Sequence, residues 1–207
     1  MLIKFKNEYT KIFSITLITF IFSLMSYSAI AQGGRIDKIK DAQNELKKIK
    51  SNGLVIAFPT NAPLIDNLRS RGFEEKAKIE EQKVLFYNLR LIEVFKAYSY
   101  GPIYYTHTLD LENANQSDEL IVNNLDGSKV TVNPNEVLFL NPKKFTVKSQ
   151  NSSYSGFGVH DKDFNYLNKP FPYFIFKRDG LILFQKTEEQ MVQILQNKFL
   201  KLENVTF

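Results

Sequence analysis

The sequence of 207 residues contains no cysteine. Disulfides, thiol nucleophiles, redox pairs and zinc–thiolate sites are therefore excluded, and no thiol can carry a lipid anchor. Stability has to come from a packed core, which a chain of this length can bury. Because tryptophan is also absent while 18 Phe and 10 Tyr are present, we expect a core rich in phenyl rings.

The N-terminal 31 residues have the three-part pattern of a secretory signal peptide. Lys4, Lys6 and Lys11 precede the apolar run Ile12–Met25, and Ala29-Ile30-Ala31 places small residues one and three positions before a cut. This combination predicts cleavage after residue 31. We therefore expect an exported protein, periplasmic or extracellular, whose mature part begins at residue 32.

An uncleaved membrane anchor is the alternative, because Ile12–Ala31 spans 20 residues and about 20 residues can cross a bilayer. The polar Ser26-Tyr27-Ser28 stretch favours cleavage, after which no stable membrane span remains. Removal of residues 1–31 lowers the net charge from +5 to +3. So small a charge gives no reason to expect a nucleic-acid partner.

The mature chain has no repeat, low-complexity segment or change of composition that would mark a second domain. We therefore predict that residues 32–207 form one soluble α/β domain, in which a mixed sheet is flanked by helices.

The hydrophobic pattern predicts how this sheet begins. A surface helix over Gly33–Ser51 leads to Leu54–Phe58, a continuous apolar run typical of a strand buried on both faces. A long helical region, Ala62–Tyr98 with a break at Gly72, connects this run to a second strand, Ile103–Leu109. Two strands joined by such a helical crossover are parallel.

Between residues 110 and 151 two interpretations stay open. Ser117-Asp118-Glu119 suits the start of a short helix. Leu120–Val122 and Lys129–Val132 suit a hairpin around Asp126-Gly127. Further short strands are predicted at Val137–Leu140 and Phe145–Lys148.

The C-terminal part is predicted to be a hairpin followed by a helix. Tyr173–Arg178 and Leu181–Lys186 flank Asp179-Gly180, a dipeptide typical of a two-residue hairpin turn. Thr187 then caps the final helix, with Gln190 in the position of a capping box.

The order of these elements, over about residues 53–202, resembles the thioredoxin-like fold. The resemblance rests on Leu54–Phe58 with the turn Pro59-Thr60-Asn61-Ala62, and on Phe171-Pro172-Tyr173 before the hairpin. That family carries Cys-x-x-Cys in the first turn and a cis-proline before the hairpin. Here the turn has no cysteine, so the redox activity is not implied, and only Pro172 matches a family feature. The chain is also similar to small uncharacterised exported proteins of Gram-negative bacteria, which implies export and no mechanism.

The two histidines are the only side chains of a type that titrates near neutral pH. His107 and His160 are both predicted near strand ends, where α/β folds place ligand sites. A shared site with Asp161 or Asp110 as the third group is therefore one hypothesis. Because 53 positions separate the two histidines and neither lies in a metal or nucleophile motif, isolated structural or surface histidines are favoured.

Two other local patterns have a structural interpretation that we favour. Asp161-Lys162-Asp163 begins like a calcium loop, but the glycine and glutamate that such a loop requires are missing, so a turn is predicted. Tyr98, Tyr100, Tyr104 and Tyr105 cluster around a Gly-Pro turn, as a recognition patch or as packing between helix and sheet. Packing is favoured, since successive strand residues point to opposite faces.

These observations predict a non-catalytic binding or interaction module for an unidentified protein or small-molecule ligand. A hydrolytic or metal-assisted enzyme that uses His107 and His160 is the alternative. No dinucleotide, phosphate-loop or serine-hydrolase motif occurs, so we predict no cofactor and no metal, and the sequence assigns no catalytic residue.

Overall fold

The computed structural model describes residues 34–114, 119–147, 152–178 and 186–206. The chain divides into two compact units, Met1–Asp41 with Phe207, and Ala42–Thr206. Of the first unit, the structure describes residues 34–41, which are helical. This helix, α1, runs over residues 34–52, so its residues 42–52 belong to the second unit.

The second unit is built on a mixed sheet with flanking helices, which confirms the predicted fold class. Its strands are β1 (Leu54–Phe58), β2 (Ile103–His107), β3 (Leu120–Asn124), β4 (Lys129–Val132), β5 (Leu138–Val147), β6 (Ser152–His160) and β7 (Phe174–Arg178). Its further helices are α2 (Ala62–Ser70), α3 (Glu74–Phe95), α4 (Thr108–Ala114) and α5 (Glu188–Glu203). The spatial order of the strands is β4-β3-β2-β1-β5-β6-β7.

The predicted parallel pair lies at the centre of this sheet. β1 pairs parallel with β2, with Leu54 opposite Ile103, and it also pairs parallel with β5 on its other side. The remaining neighbours are antiparallel. All five residues of β1 are buried, because helices or loops cover both faces of a strand in this position.

The helical crossover between β1 and β2 also follows the prediction. The chain turns between α2 and α3 at Gly72, whose φ of 77° lies in the left-handed region that glycine enters without steric cost. The C-terminal bound differs, since α3 ends at Phe95 rather than at Tyr98. β2 likewise ends at His107, because Thr108 begins α4 and donates its hydroxyl hydrogen to the Phe58 carbonyl oxygen at 2.9 Å.

In the middle of the chain the hairpin interpretation is confirmed. β3 pairs antiparallel with β4, and Asp126 Oδ1 accepts a hydrogen bond from the Ser128 amide in the turn. For the helix alternative, Ser117 and Asp118 lie outside the described residues.

Two short strands predicted around residues 137–148 are in fact one long strand, β5. Pro142 lies between the two predicted strands, and proline lacks the backbone N–H group that donates a hydrogen bond to a neighbouring strand. It is tolerated because the pairing between β5 and β1 ends at Leu140, so that among the described residues no strand pairs with this side of β5 at Pro142.

The C-terminal prediction is confirmed in part. β7 pairs antiparallel with β6, and α5 begins with the expected capping box, in which the Gln190 amide donates to Thr187 Oγ1 and the Thr187 amide donates to Gln190 Oε1. Asp179-Gly180 and residues 181–185 lie outside the described residues. A cis peptide bond joins Lys169 to Pro170, two residues before the proline that carries the thioredoxin resemblance. The resemblance itself stays a prediction.

The two faces of the sheet carry different cores. On the helical face, α3 and α5 contribute ring contacts such as Phe95 with Phe157 at 5.5 Å and Phe199 with Tyr100 at 5.2 Å. On the opposite face, which we call the α4 face, a smaller cluster is buried: Val55, Ala57, Leu111, Leu120, Val122, Val137 and Phe139. As expected, the core is rich in phenyl rings.

Candidate functional site

The carboxyl ends of β1, β2 and β5 meet at one edge of the sheet, with β1 between the other two. In open α/β sheets, ligands bind outside the carboxyl ends of parallel strands, where the connections on either side of a strand diverge. Two clefts lie at this edge, and Pro59, the residue after β1, lines both of them.

The first cleft, the α2–α3 cleft, has a volume of about 540 Å³. It is lined by Pro59, Thr60, Ala62, Ile65, Asp66, Arg69, Lys78, Glu81, Gln82, Val84, Leu85, Asn88 and His107. Its apolar wall comes from α2 and α3, and His107 enters from the end of β2. A volume within about 300–1,000 Å³ and a mostly apolar lining are typical of small-molecule sites.

The charged groups of the α2–α3 cleft balance one another. Arg69 lies 2.7 Å from Glu81 and 3.6 Å from Glu74, and these neighbouring carboxylates raise the pKa of the guanidinium. Asp66 and Lys78 complete the charged lining with one group of each sign. The cleft therefore offers no net charge to a ligand.

Asn88 is the most distinctive group of this cleft. Its side chain lies on the buried side of α3, only 7% exposed, and its Nδ2 donates to the Pro59 carbonyl oxygen at 3.2 Å. That bond fixes the orientation of the amide. Asn88 Oδ1 is buried and finds no partner in the part of the chain that the structure describes. A buried carbonyl oxygen left without a donor costs free energy, so a ligand that donates a hydrogen bond there would be stabilised.

The second cleft, the Tyr166 cleft, lies on the α4 face and has a volume of about 400 Å³. It is lined by Ala57, Pro59, Thr108, Asn141, Pro142, Lys143, Phe164 and Tyr166. Lys143 Nζ donates to Tyr166 Oη at 3.0 Å and lies over the same ring at 4.9 Å from its centroid. These contacts fix the orientation of the tyrosine ring that lines the cleft.

His160 lies behind this cleft and is 1% exposed. Its ring stacks between Phe139 at 5.9 Å and Phe164 at 5.1 Å, and the edge of Tyr166 closes a third side at 6.0 Å. Nδ1 donates to the Asp161 carbonyl oxygen at 2.6 Å, while Nε2 is buried without a partner among the described residues. Burial lowers the pKa of His160, so the imidazole is a neutral member of the core.

The two histidines do not form a shared site. His107 lies opposite Phe58 on β1 and contacts that ring on the helical face, whereas His160 lies opposite Phe139 and belongs to the α4 face. Strands β1 and β5 also separate them, which corresponds to three interstrand spacings of about 4.8 Å.

The acidic groups proposed as third members have other surroundings. Asp161 Oδ1 accepts hydrogen bonds from the amides of Asp163 and Asn165, both at 2.9 Å, which gives the predicted turn after the strand. Asp110 is exposed on α4. Within the described ranges, no group of three or more histidine and acidic side chains is placed to hold a metal ion.

The tyrosine cluster is mainly a packing feature. Tyr98 and Tyr100 are buried, and Tyr105 stacks on Phe58 at 5.2 Å. Tyr104 packs against the cluster on the α4 face, opposite to Tyr105, as strand alternation predicts.

The chain matches no family model, and neither a curated protein nor a solved structure matches it. Among the residues that the structure describes, no helix combines the length and hydropathy needed to cross a bilayer. The sequence pattern predicts His107 near a strand end, where it lines the cleft, but it does not single out Asn88. The available signal was a polar residue on the face of α3 that otherwise carries buried apolar residues.

Proposed function

We propose that this chain is an exported, non-catalytic binding module that holds a small neutral molecule in the α2–α3 cleft. The observation that carries the proposal is Asn88 Oδ1, a buried acceptor without a described partner in a cleft of ligand size. The ligand that fits has an apolar body for the wall of Ile65 and Val84, and one N–H or O–H group for Asn88. The balanced charges of the lining favour a ligand without net charge.

A pair of fluorescent probes tests this chemistry. N-phenyl-1-naphthylamine is neutral, apolar and carries one N–H donor, whereas 1-benzylnaphthalene has CH2 in place of that N–H, so it has nearly the same shape and no donor. We expect the amine to bind the full chain more tightly, because only the amine satisfies Asn88. Asn88→Leu should lower the affinity for the amine by about 2–12-fold, the range that corresponds to one net hydrogen bond. The affinity for the hydrocarbon should stay almost unchanged. Equal affinities of the two probes, with no response to Asn88→Leu, would reject the site.

A filling variant locates the bound probe. Ala62 lines the cleft at the start of α2, so Ala62→Leu should displace both probes. Ala97→Leu is the matched control, since Ala97 is exposed and lies outside the lining. Binding that survives Ala62→Leu would place the probes elsewhere on the protein.

Export is the second part of the proposal, and it is supported by the signal pattern of residues 1–31. Intact-mass measurement on protein from the exported fraction should give a chain that begins at Gln32. Recovery of residues 1–31 still attached, in the membrane fraction, would make this an anchored protein.

A further inference from the structure

Helix α3 carries a second apolar surface that faces away from the sheet. Four of its large side chains are more than half exposed: Ile79 by 51%, Leu85 by 60%, Phe86 by 72% and Leu89 by 53%. We call these four residues the outer stripe. Ile79, Phe86 and Leu89 lie on the side of α3 away from its buried residues, and Leu85 lies on the flank, where it also lines the α2–α3 cleft.

This exposure is unusual for a surface helix. Such a helix normally turns its apolar stripe to the core and a polar face to water, whereas α3 is apolar on both sides in its C-terminal half. Among the described residues, 13 large hydrophobic side chains are exposed, and seven of them lie on α2, α3 and the turn between these helices. A concentration of this kind marks an interaction surface.

The charges at the two ends of the outer stripe indicate which partner fits it. Glu75 and Lys78 lie at its N-terminal end and are paired at 3.2 Å, and Glu93 and Lys96 lie at its C-terminal end and are paired at 2.6 Å. The order of signs along the helix is acid, base, acid, base. A second α3 placed antiparallel brings Lys78 opposite Glu93, and Glu75 opposite Lys96.

We propose that two copies of this chain associate through antiparallel α3 helices. In this register Leu85 of one copy lies opposite Phe86 of the second copy, so these apolar side chains meet at the two-fold axis, and Leu89 lies opposite Gln82 beside them. Closed two-fold symmetry is the commonest arrangement of homo-oligomers, and its interface is self-complementary. Four large side chains from each copy, together with the flanking charges, suit an interface of about 1,000 Å² or more, the size that a specific contact requires.

The parallel arrangement is disfavoured by the same charges. It would set Lys78 against Lys78 and Glu93 against Glu93, and like charges across an interface suppress association. On the other flank of the stripe, the antiparallel arrangement brings Lys83 near Arg90 of the second copy, and the parallel arrangement brings each of them near its own counterpart. Lys83 and Arg90 bring like charges together in both arrangements, so this flank does not distinguish them; within the chain Lys83 lies 3.3 Å from Glu80 and Arg90 lies 3.0 Å from Glu188.

The first experiment measures association of the full chain by sedimentation velocity over a hundredfold range of concentration. We expect a reversible monomer–dimer equilibrium. Phe86→Glu should raise the dissociation constant about 30-fold or more, as expected for a central hot-spot residue. Leu200→Glu is the matched control, because Leu200 is an exposed leucine on α5, and it should leave the equilibrium unchanged. A parent protein that stays monomeric throughout, or a dimer indifferent to Phe86→Glu, would overturn the proposal.

The second experiment tests the antiparallel register. Lys78→Glu places two acidic groups opposite each other at both ends of the interface and should weaken the dimer several-fold. Adding Glu93→Lys restores an opposite pair only if residue 78 faces residue 93 of the second copy, so the double variant should recover the parent affinity. Lack of recovery would overturn the register, since a parallel dimer predicts no rescue. Thermal unfolding of each variant, monitored by circular dichroism, separates loss of the dimer from loss of the fold.

Discussion

The two faces of the central sheet bury their residues in different ways. Helices α3 and α5 pack on the helical face, and its core includes phenyl rings in mutual contact, such as Phe95 with Phe157 and Phe171 with Phe199. The α4 face is covered by a seven-residue helix and the segment after β6, and its core includes the neutral imidazole of His160. The helical face therefore depends on apolar volume, whereas the α4 face also depends on the protonation state of one ring.

The largest effect is expected on the helical face. Phe199 is fully buried and contacts both Tyr100 and Phe171. Phe199→Ala should lower the free energy of unfolding by about 3–5 kcal/mol, because it removes a buried ring and leaves a cavity. Urea unfolding of the full chain measures the loss. A loss below about 1 kcal/mol would mean that α5 is not part of the cooperative core. The helical face would then not depend on buried apolar volume in the way described above.

A smaller effect is expected on the α4 face from added volume. A Cβ atom at Gly158 would lie 2.6 Å from Tyr166 Cε1, so Gly158→Ala must displace the Tyr166 ring, which lines the Tyr166 cleft. We expect a loss of about 1–3 kcal/mol, the usual cost of overpacking. In the Tyr166→Ala background the same substitution should cost much less, because the obstructing ring is gone. Equal costs in both backgrounds would show that the ring does not cover β6.

Burial lowers the pKa of His160 from its ordinary value of 6.5, with the nearby ammonium of Lys143 adding a smaller effect in the same direction and Asp161 opposing both. The unfolded chain has the ordinary pKa of His160, and the folded chain has the lowered one. At a pH between these two values the unfolded chain binds more protons than the folded chain, so the free energy of unfolding rises with pH. The contribution of the neutral His160 ring to stability is fully present above about pH 6.5, and it is lost as the pH falls through the lower pKa of the folded state.

His160→Phe should therefore flatten the dependence of stability on pH between about pH 7.5 and the onset of carboxylate titration. His107→Gln is the control, because His107 is exposed on the other face, and it should keep the parent profile. Urea unfolding at several pH values gives both curves. If His160→Phe keeps the pH dependence of the free energy of unfolding that the parent shows, another group is responsible for it. The two faces would then not differ in the electrostatic way proposed here.

The parts of the fold that local chemistry determines were predictable from the sequence. Five consecutive apolar residues specify β1, and the Thr187–Gln190 spacing specifies the start of α5. Strand β6 was not predicted over its full length, because Gly156 and Gly158 are poor strand residues. At Gly158 the ring of Tyr166, which follows later in the chain, occupies the space that a Cβ would need.

The candidate site depended on sheet order, which local patterns do not reveal. Both histidines do lie at strand ends, as predicted. What separates them is that β5 is placed between β1 and β6, and that the pairing register puts the two rings on opposite faces. The burial of Asn88 Oδ1 likewise depends on the packing of α3 over Pro59, which the local sequence does not specify.

The smallest expected effect is that of zinc on the full chain. His107 and His160 lie on opposite faces of the sheet with two strands between them, so one ion cannot bind both imidazoles. His160 also uses Nδ1 for the Asp161 carbonyl oxygen and buries Nε2 beneath aromatic rings. We therefore expect calorimetric titration with zinc to show no binding tighter than micromolar. Tight binding that disappears in both His107→Ala and His160→Ala would require the two faces to rearrange and would favour the metal-assisted enzyme. Tight binding lost in neither variant would instead identify a site without histidine, and the contrast between the two faces would stand.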